Sequence, residues 1–321
     1  MSMTSRTRRL VVPGLVAAVA GSFIVSAPAA MGSPDPNTVH PTSPHHNEAS
    51  VNKAAAIDAY ARLFAGDGSA VDQYFARDFI NHNPLAPRDA FTGYKDLAAA
   101  FANVHFRLWE PLRVVADGDY VGIQGLYQFD SMTTFRPTQS GPGVVGFDLF
   151  RFDHGKIVEH WDALQDVVPP SQTPDNNDMI GGGAGIPGHR AINPKKVVHT
   201  VVQISQGRTD HIRSRFSPDY INHNPYGTDG WAGVQSLAQA FGTAGFQMYT
   251  PHRWFADGNL VVLQGIFHLH STSAFTPDRT GPGVVAFDIF RIGDNGKIVE
   301  HWDILQNNVP AASTVSGLPT I

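Results

Sequence analysis

Residues 141–165 read GPGVVGFDLFRFDHGKIVEHWDALQ, and residues 281–306 read GPGVVAFDIFRIGDNGKIVEHWDILQ. So close a return means that one domain is present twice. Other landmarks recur at the same offset of roughly 140 residues, a period too long for a solenoid. Asn81-His82-Asn83-Pro84 returns as Asn222-His223-Asn224-Pro225, Ala116-Asp117-Gly118 as Ala256-Asp257-Gly258, and Gln124-Gly125 as Gln264-Gly265. Each copy has enough chain to bury its own core. The protein therefore acts through two related pockets, or through one pocket and one degenerate copy.

Within the quoted stretch the copies differ in length by one residue, and that difference identifies a hairpin. The first copy turns through Asp153-His154-Gly155-Lys156, the second through Gly293-Asp294-Asn295-Gly296-Lys297. His-Gly suits a two-residue loop, and Asp-Asn-Gly a three-residue loop ending in a left-handed glycine. Both solutions set Phe152 opposite Ile157 and Ile292 opposite Ile298, so the insertion preserves register.

The chain has 321 residues, a formal net charge of -5 and no cysteine. No basic stripe is present to neutralise phosphates, which argues against a nucleic-acid partner. The lack of cysteine removes disulfides, thiol nucleophiles and thiolate metal sites together. No glycine-rich strand-to-helix turn has nucleotide-binding spacing, and no Gly-x-Ser-x-Gly elbow is visible.

Residues 1–30 read as an export signal. Arg6, Arg8 and Arg9 precede an apolar run, Leu10–Val25, and Ala27-Pro28-Ala29 offers a small-x-small cleavage site. The run is short for a membrane span, which needs about 20 residues. Thr7-Arg8-Arg9-Leu10-Val11 loosely resembles a twin-arginine signal. The expected mature protein is secreted, or periplasmic, with no membrane segment. Residues 31–50 are expected to be a flexible leader, 51–180 the first domain, 181–191 a linker, 192–312 the second domain and 313–321 a tail. The Pro/Gly/Asn-rich run of residues 169–188 cannot bury a core and is mobile unless it docks as an arm. The tail after Pro310 is similar in character.

Apolar residues recur at helical spacing from Asn52 to Phe64, with shorter helices expected at Ser69–Phe75 and Tyr94–Phe101. Their counterparts are Pro194–Ser205, Thr209–Phe216 and Val234–Phe241. Strand patterns then occupy Phe106–Ala116, Tyr120–Ser131, Gly143–Asp153 and Lys156–Gln165. Helices followed by a meandering sheet make an α+β fold.

Phe147-Asp148-Leu149-Phe150-Arg151, Gly155-Lys156-Ile157-Val158-Glu159-His160-Trp161-Asp162 and the preceding His82-Asn83-Pro84 together resemble the SnoaL-like polyketide cyclase branch of the nuclear-transport-factor-2-like superfamily. The resemblance covers nearly all of both copies. It implies two tandem cone-shaped α+β barrels, each with three helices packed on a curved antiparallel sheet and a pocket at the wide end. Relatives commonly pair through their sheets, so the tandem is expected to form an intramolecular pseudo-dimer. By the same resemblance Asp148 and Asp288 face the pocket as acid/bases, and neither a metal nor a cofactor is implied.

The residues add their own arguments. Asp148 lies in an otherwise apolar strand, where burial raises a carboxyl pKa toward the range useful for proton transfer. A structural carboxylate satisfied by backbone or arginine donors is the plainer alternative. His160 and Asp162, like His301 and Asp303, alternate along the last strand and share a face, with Trp161 and Trp302 on the other. They are either an acid/base pair or a hydrogen-bonded pair that orients a ligand. Simple hairpin pairing sets Asp148 across from Trp161, on the opposite face from His160, so a bulge is needed to bring them together. His82 and His223 are either ligand contacts at the pocket mouth or residues that merely follow a turn. Gln124 and Gln264 join the expected ligand contacts. So do His268 and His270, a His-x-His pair that is a weak metal signal. The function expected is binding of small apolar organic molecules by an exported protein, with cofactor-free proton transfer on a carbonyl compound. The alternative is a non-catalytic secreted ligand-binding or protein-interaction module.

Overall fold

The computed structural model describes residues 46–103, 106–129, 143–186, 193–243, 248–268 and 283–321. The expected export signal, most of the leader, part of the linker and His270 lie outside the described residues. The first half runs α1 (His46–Phe64), α2 (Ser69–Tyr74), β1 (Phe75–Asn81), α3 (Ala90–Asn103), β2 (Phe106–Asp117), β3 (Tyr120–Phe129), β4 (Val144–Asp153) and β5 (Lys156–Asp166). The second repeats it as α4 (Pro194–Ser205), α5 (Ile212–Arg215), β6 (Phe216–Asn222), α6 (Gly230–Thr243), β7 (Met248–Asp257), β8 (Leu260–His268), β9 (Val284–Ile292) and β10 (Ile298–Asn307). Residues 46–50, expected in the flexible leader, are the first turn of α1.

Each half has a five-stranded sheet, ordered β1-β5-β4-β3-β2 and β6-β10-β9-β8-β7. The meander is antiparallel as expected, but β1 and β6 add an edge strand parallel to β5 and β10. The short-helix reading at Ser69–Phe75 stops one residue into this strand. Phe75, Phe79 and Asn81 are its buried positions, a spacing that a helix cannot present to one face.

The hairpin turns follow their sequences. His154 and Gly155 both take positive φ (48° and 74°), as a two-residue primed turn requires. In the longer turn Gly296 takes φ 75°, and Gly293 N donates to Lys297 O at 2.8 Å. The expected pairs Phe152–Ile157 and Ile292–Ile298 form, and the register then slips. Arg151 pairs with Glu159 and Arg291 with Glu300, leaving Val158 and Val299 as the extra residues. This bulge moves Asp162 opposite Asp148 and Asp303 opposite Asp288, so that Asp148, His160 and Asp162 share one face.

That face packs on α1 and α3 through Tyr60, Leu63, Phe91, Tyr94 and Phe150. The other face meets the second sheet. Phe147, Leu149, Trp161 and Ala163 form one continuous core with Phe287, Ile289, Trp302 and Ile304. Phe147 stacks on Phe287 at 4.8 Å. The guanidinium of Arg113 lies 3.8 Å from the Trp302 ring and that of Arg253 3.9 Å from the Trp161 ring. Gln165 Oε1 accepts from Leu305 N at 2.9 Å, and Gln306 Oε1 from Leu164 N at 2.8 Å. Contacts that come in such reciprocal pairs are those of a two-fold interface, here made within one chain.

The runs after β5 and β10 dock as arms, and they cross over. Asn177 Nδ2 donates to Asn224 O and Gly227 O of the second half at 3.1 and 2.7 Å. Gly182, with φ +85°, passes so close that a Cβ there would lie 2.1 Å from Glu300 Oε1 and 2.7 Å from the Trp302 ring. The tail returns to the first half, where Val315 N donates to Pro84 O at 3.0 Å. Thr173 and Thr314 hold the two arms by matching bonds, to Pro170 O and Asn177 O and to Ala311 O and Leu318 O. The repeat thus extends through segments whose composition reads as linker and tail.

Candidate functional site

Between helices and sheet each half encloses a hollow, and the bulged strand carries its polar end. In the first half Asp148 Oδ1 accepts from His160 Nε2 at 3.0 Å and from Tyr60 Oη at 3.0 Å. Tyr127 Oη donates to Asp148 Oδ2. His160 Nδ1 lies 3.0 Å from both Asn81 Oδ1 and Tyr94 Oη. Asn81 is in place because β1 runs parallel to β5, pairing Asn81 with His160. Asn83 Oδ1 accepts from Leu85 N while its Nδ2 donates to Asp162 Oδ2 at 2.7 Å. It serves the turn and the site together.

Burial raises the pKa values of Tyr60 and Tyr127 well above the ordinary phenol value, and the neighbouring Asp148 charge adds to it. Both therefore stay protonated and donate. Burial also lifts Asp162 to about 6, opposed by His160 and assisted by Asp148.

The second half keeps the acid and imidazole but not the tyrosines around them. Asp288 Oδ1 meets His301 Nε2 at 3.1 Å, and Tyr249 Oη reaches Asp288 Oδ2 only at 3.4 Å. His301 Nδ1 lies 3.2 Å from Asn222 Oδ1, and Asn224 Nδ2 donates to Asp303 Oδ2. The positions of Tyr60 and Tyr94 are taken by Val201 and Val234, which line the hollow. Phe79 is replaced by Tyr220, a buried lining residue whose pKa burial raises well above the phenol value. Burial by itself lowers the pKa of His301. The hydrogen bond to Asp288 and the charges of Asp303 and Asp288 outweigh it, so the net shift is upward. The hollow is small, about 70 Å³, against about 610 Å³ in the first half.

Asp148, His160 and Asp162, and likewise Asp288, His301 and Asp303, bring ligand-type atoms within 4.8 Å of one another. The first set fits a cation poorly, because both imidazole nitrogens and both Asp148 oxygens are already engaged in hydrogen bonds. In the second set the one imidazole is likewise held at both nitrogens.

Other expected contacts lie elsewhere. His82 stacks on Trp161 at 4.9 Å, its Nε2 2.9 Å from Glu159 and its Nδ1 2.7 Å from Pro319 O of the tail. His223 does the same with Trp302, Glu300 and Asp178 O of the first arm. Both therefore hold arms on the far face of the sheet and do not line the hollows. Gln124 and Gln264 are fully buried on that same face, accepting from Arg113 and Arg253 at 2.7 and 2.8 Å. Strand alternation turns Phe267 into the second hollow and His268 away from it. The residues that composition did not single out are Tyr60, Tyr94, Tyr127 and Tyr220. Tyr60 was legible as part of the apolar stripe of α1, and its hydroxyl gave no separate signal.

A model of the SnoaL-like domain matches residues 56–160 and again 198–301, together more than half of the chain. No curated protein matches the chain. Among solved structures it is similar to TsrD from Streptomyces laurentii, at 21% identity over 37% of this chain and 90% of that one, with a TM-score of 0.31. An NTF-2 like protein of unknown function from Burkholderia xenovorans LB400 matches at 14% identity over 38% and 88%, with a TM-score of 0.30. A steroid delta-isomerase from Pseudomonas aeruginosa matches at 20% identity over 40% and 86%, with a TM-score of 0.28.

Proposed function

The chain belongs to the SnoaL-like domain family, and from that premise we propose that its second half catalyses cofactor-free proton transfer on a small carbonyl compound. The observation that carries this reading is the buried Asp288–His301 pair at the end of an apolar hollow, 3.1 Å apart. In this reading Asp288 takes a proton from the carbon beside the carbonyl, and the C–H electrons move into an enolate. His301 fixes the carboxylate, and the Tyr220 hydroxyl donates to the enolate oxygen. The proton returns either to another carbon, giving isomerisation, or to the alkoxide formed when the enolate attacks a second carbonyl, giving an aldol-type ring closure. A donor already in position inside a water-poor hollow stabilises the developing charge without reorganisation.

The test is deuterium uptake beside the carbonyl of cyclohexanone, followed by NMR in heavy water. Asp288→Asn is expected to lower the rate by about 100-fold or more, with circular dichroism unchanged. Undiminished exchange in that variant overturns the assignment. Export through residues 1–30 is a companion proposal, supported by the basic start, the apolar run and the small-x-small site. Replacing Arg8 and Arg9 by Gln should leave the full chain unprocessed inside the cell, and normal processing of that variant would count against it.

A further inference from the structure

The first hollow shares its acid and imidazole with the second, yet three of its features do not belong to a reacting site. The Asp148–His160 pair lines this hollow but is held by Tyr60, Tyr94, Tyr127 and Asn81, so three of the carboxylate's roughly four acceptor sites are taken. The space is far larger, and its wall is not made by one domain: Val309, Ser313 and Val315 of the crossed-over tail complete it. At the rim stand Leu85, 75% exposed, and Val315, 56% exposed, beside the bond from Val315 N to Pro84 O. Large apolar side chains left in water on both sides of an opening mark a place for an apolar molecule.

One polar atom inside is also unmatched. Asp162 lines the hollow and is only 8% exposed. Its Oδ2 accepts from Asn83, while its Oδ1 is buried with no hydrogen-bond partner among the described residues. A buried oxygen left unpaired is costly, and a ligand that pairs it recovers that cost. A hydroxyl both donates and accepts, so it satisfies this oxygen in either protonation state of the carboxyl.

We propose that the first hollow is a separate binding site for an elongated, mainly apolar alcohol or phenol. Its hydroxyl meets Asp162, and its apolar end leaves between Leu85 and Val315 beneath the C-terminal arm. The proposal shares with the preceding section the view of the halves as small-molecule pockets, but it does not depend on the chemistry assigned to Asp288.

The probe is 4-hexylphenol, titrated calorimetrically into the full chain, with hexylbenzene as the partner lacking the hydroxyl. One strong site is expected, with hexylbenzene at least tenfold weaker. Ser313→Trp, which fills the hollow from the arm, should weaken hexylphenol at least tenfold and leave cyclohexanone exchange unchanged. Val201→Trp, which fills the second hollow, should do the reverse. Because the chain has no cysteine, a Leu85→Cys/Val315→Cys variant gives an independent reading on folded protein. Oxidation should slow hexylphenol release at least tenfold, and reduction should restore it. Equal binding of the two probes, loss of hexylphenol binding in Val201→Trp alone, or release indifferent to oxidation would each overturn the proposal. Loss of cyclohexanone exchange with hexylphenol binding intact would instead strike only the Asp288 reading.

Discussion

The two halves surround the same acid–imidazole pair with different partners. In the first, Asp148 is bonded by His160 and by the hydroxyls of Tyr60 and Tyr127, which ties it down. In the second, Val201 and Val234 stand where Tyr60 and Tyr94 were, and Asp288 keeps His301 and one long bond from Tyr249. Backbone, register and bulge are shared, so the difference lies in a few side chains, Tyr60 and Tyr94 on the helices and Tyr127 on a strand, where the second half has Val201, Val234 and Phe267. Asp148 accepts three hydrogen bonds where Asp288 accepts one ordinary and one long one, so the second carboxylate keeps more of its roughly four acceptor sites open. Under the function proposed above, what surrounds the pair matters more than its presence.

The largest difference between the halves is expected for the matched pair Asp288→Asn and Asp148→Asn. The first should cost about 100-fold or more in cyclohexanone exchange, and the second less than about twofold by the same assay. Equal losses would mean that the halves are equivalent. Stability offers a control in which the halves should behave alike. Phe147→Ala and Phe287→Ala each remove one ring of the stacked pair between the sheets. Each should cost about 3–5 kcal/mol in urea unfolding, and a large inequality would mean that the interface is not shared evenly.

Exchanging side chains between the halves tests the role of the tyrosines. Val201→Tyr places a hydroxyl where the first half has one and should slow exchange about tenfold, roughly the worth of one charge-assisted hydrogen bond. Exchange left at the original rate would show that a tyrosine bond to the carboxylate does not govern exchange.

Titration separates the halves by a smaller margin. Asp162, raised to about 6 from 3.8, contributes its full stability only while protonated, below its unfolded value. That contribution is lost as pH rises through the folded value. Asp162→Asn should therefore flatten the urea-midpoint profile over that range and gain up to about 3 kcal/mol at neutral pH. His301 is raised as well, so its contribution is complete below about 6.5 and is lost as pH climbs through its higher folded value. His301→Gln should abolish that decline. The smallest effect expected is none at all: a chelator in the exchange assay should leave the rate unchanged, since the imidazole is held at both nitrogens.

Much of this architecture was legible because duplication prints every local rule twice. The hairpin turns, the shared register and the α+β plan follow from turn chemistry and apolar alternation. The bulge was foreseen only as a requirement, since nothing in Ile157-Val158-Glu159 marks which residue the ladder will skip. The parallel edge strand was hidden because Phe75–Asn81 carries Arg77 and Asp78 in the middle of its short run. His82 and His223 misled for a related reason. Their companions Asn81 and Asn83 face the hollow, and one residue of strand alternation sends the imidazoles to the opposite side. The arms were invisible as repeats because their correspondence lies in backbone bonds such as those of Thr173 and Thr314, with little likeness in side chains.

The crossed arms have a consequence for how such a chain diversifies. In an assembly of identical subunits, every substitution strikes both cavities at once, so neither can be retooled while the other goes on working. Fusion lifts that constraint, and the mutual embrace of the two extensions holds the fused partners in a two-fold arrangement. A tyrosine can then be lost on one side and retained on the other without disturbing the surface that joins them. The two hollows thus differ inside a body that is still, in outline, symmetric.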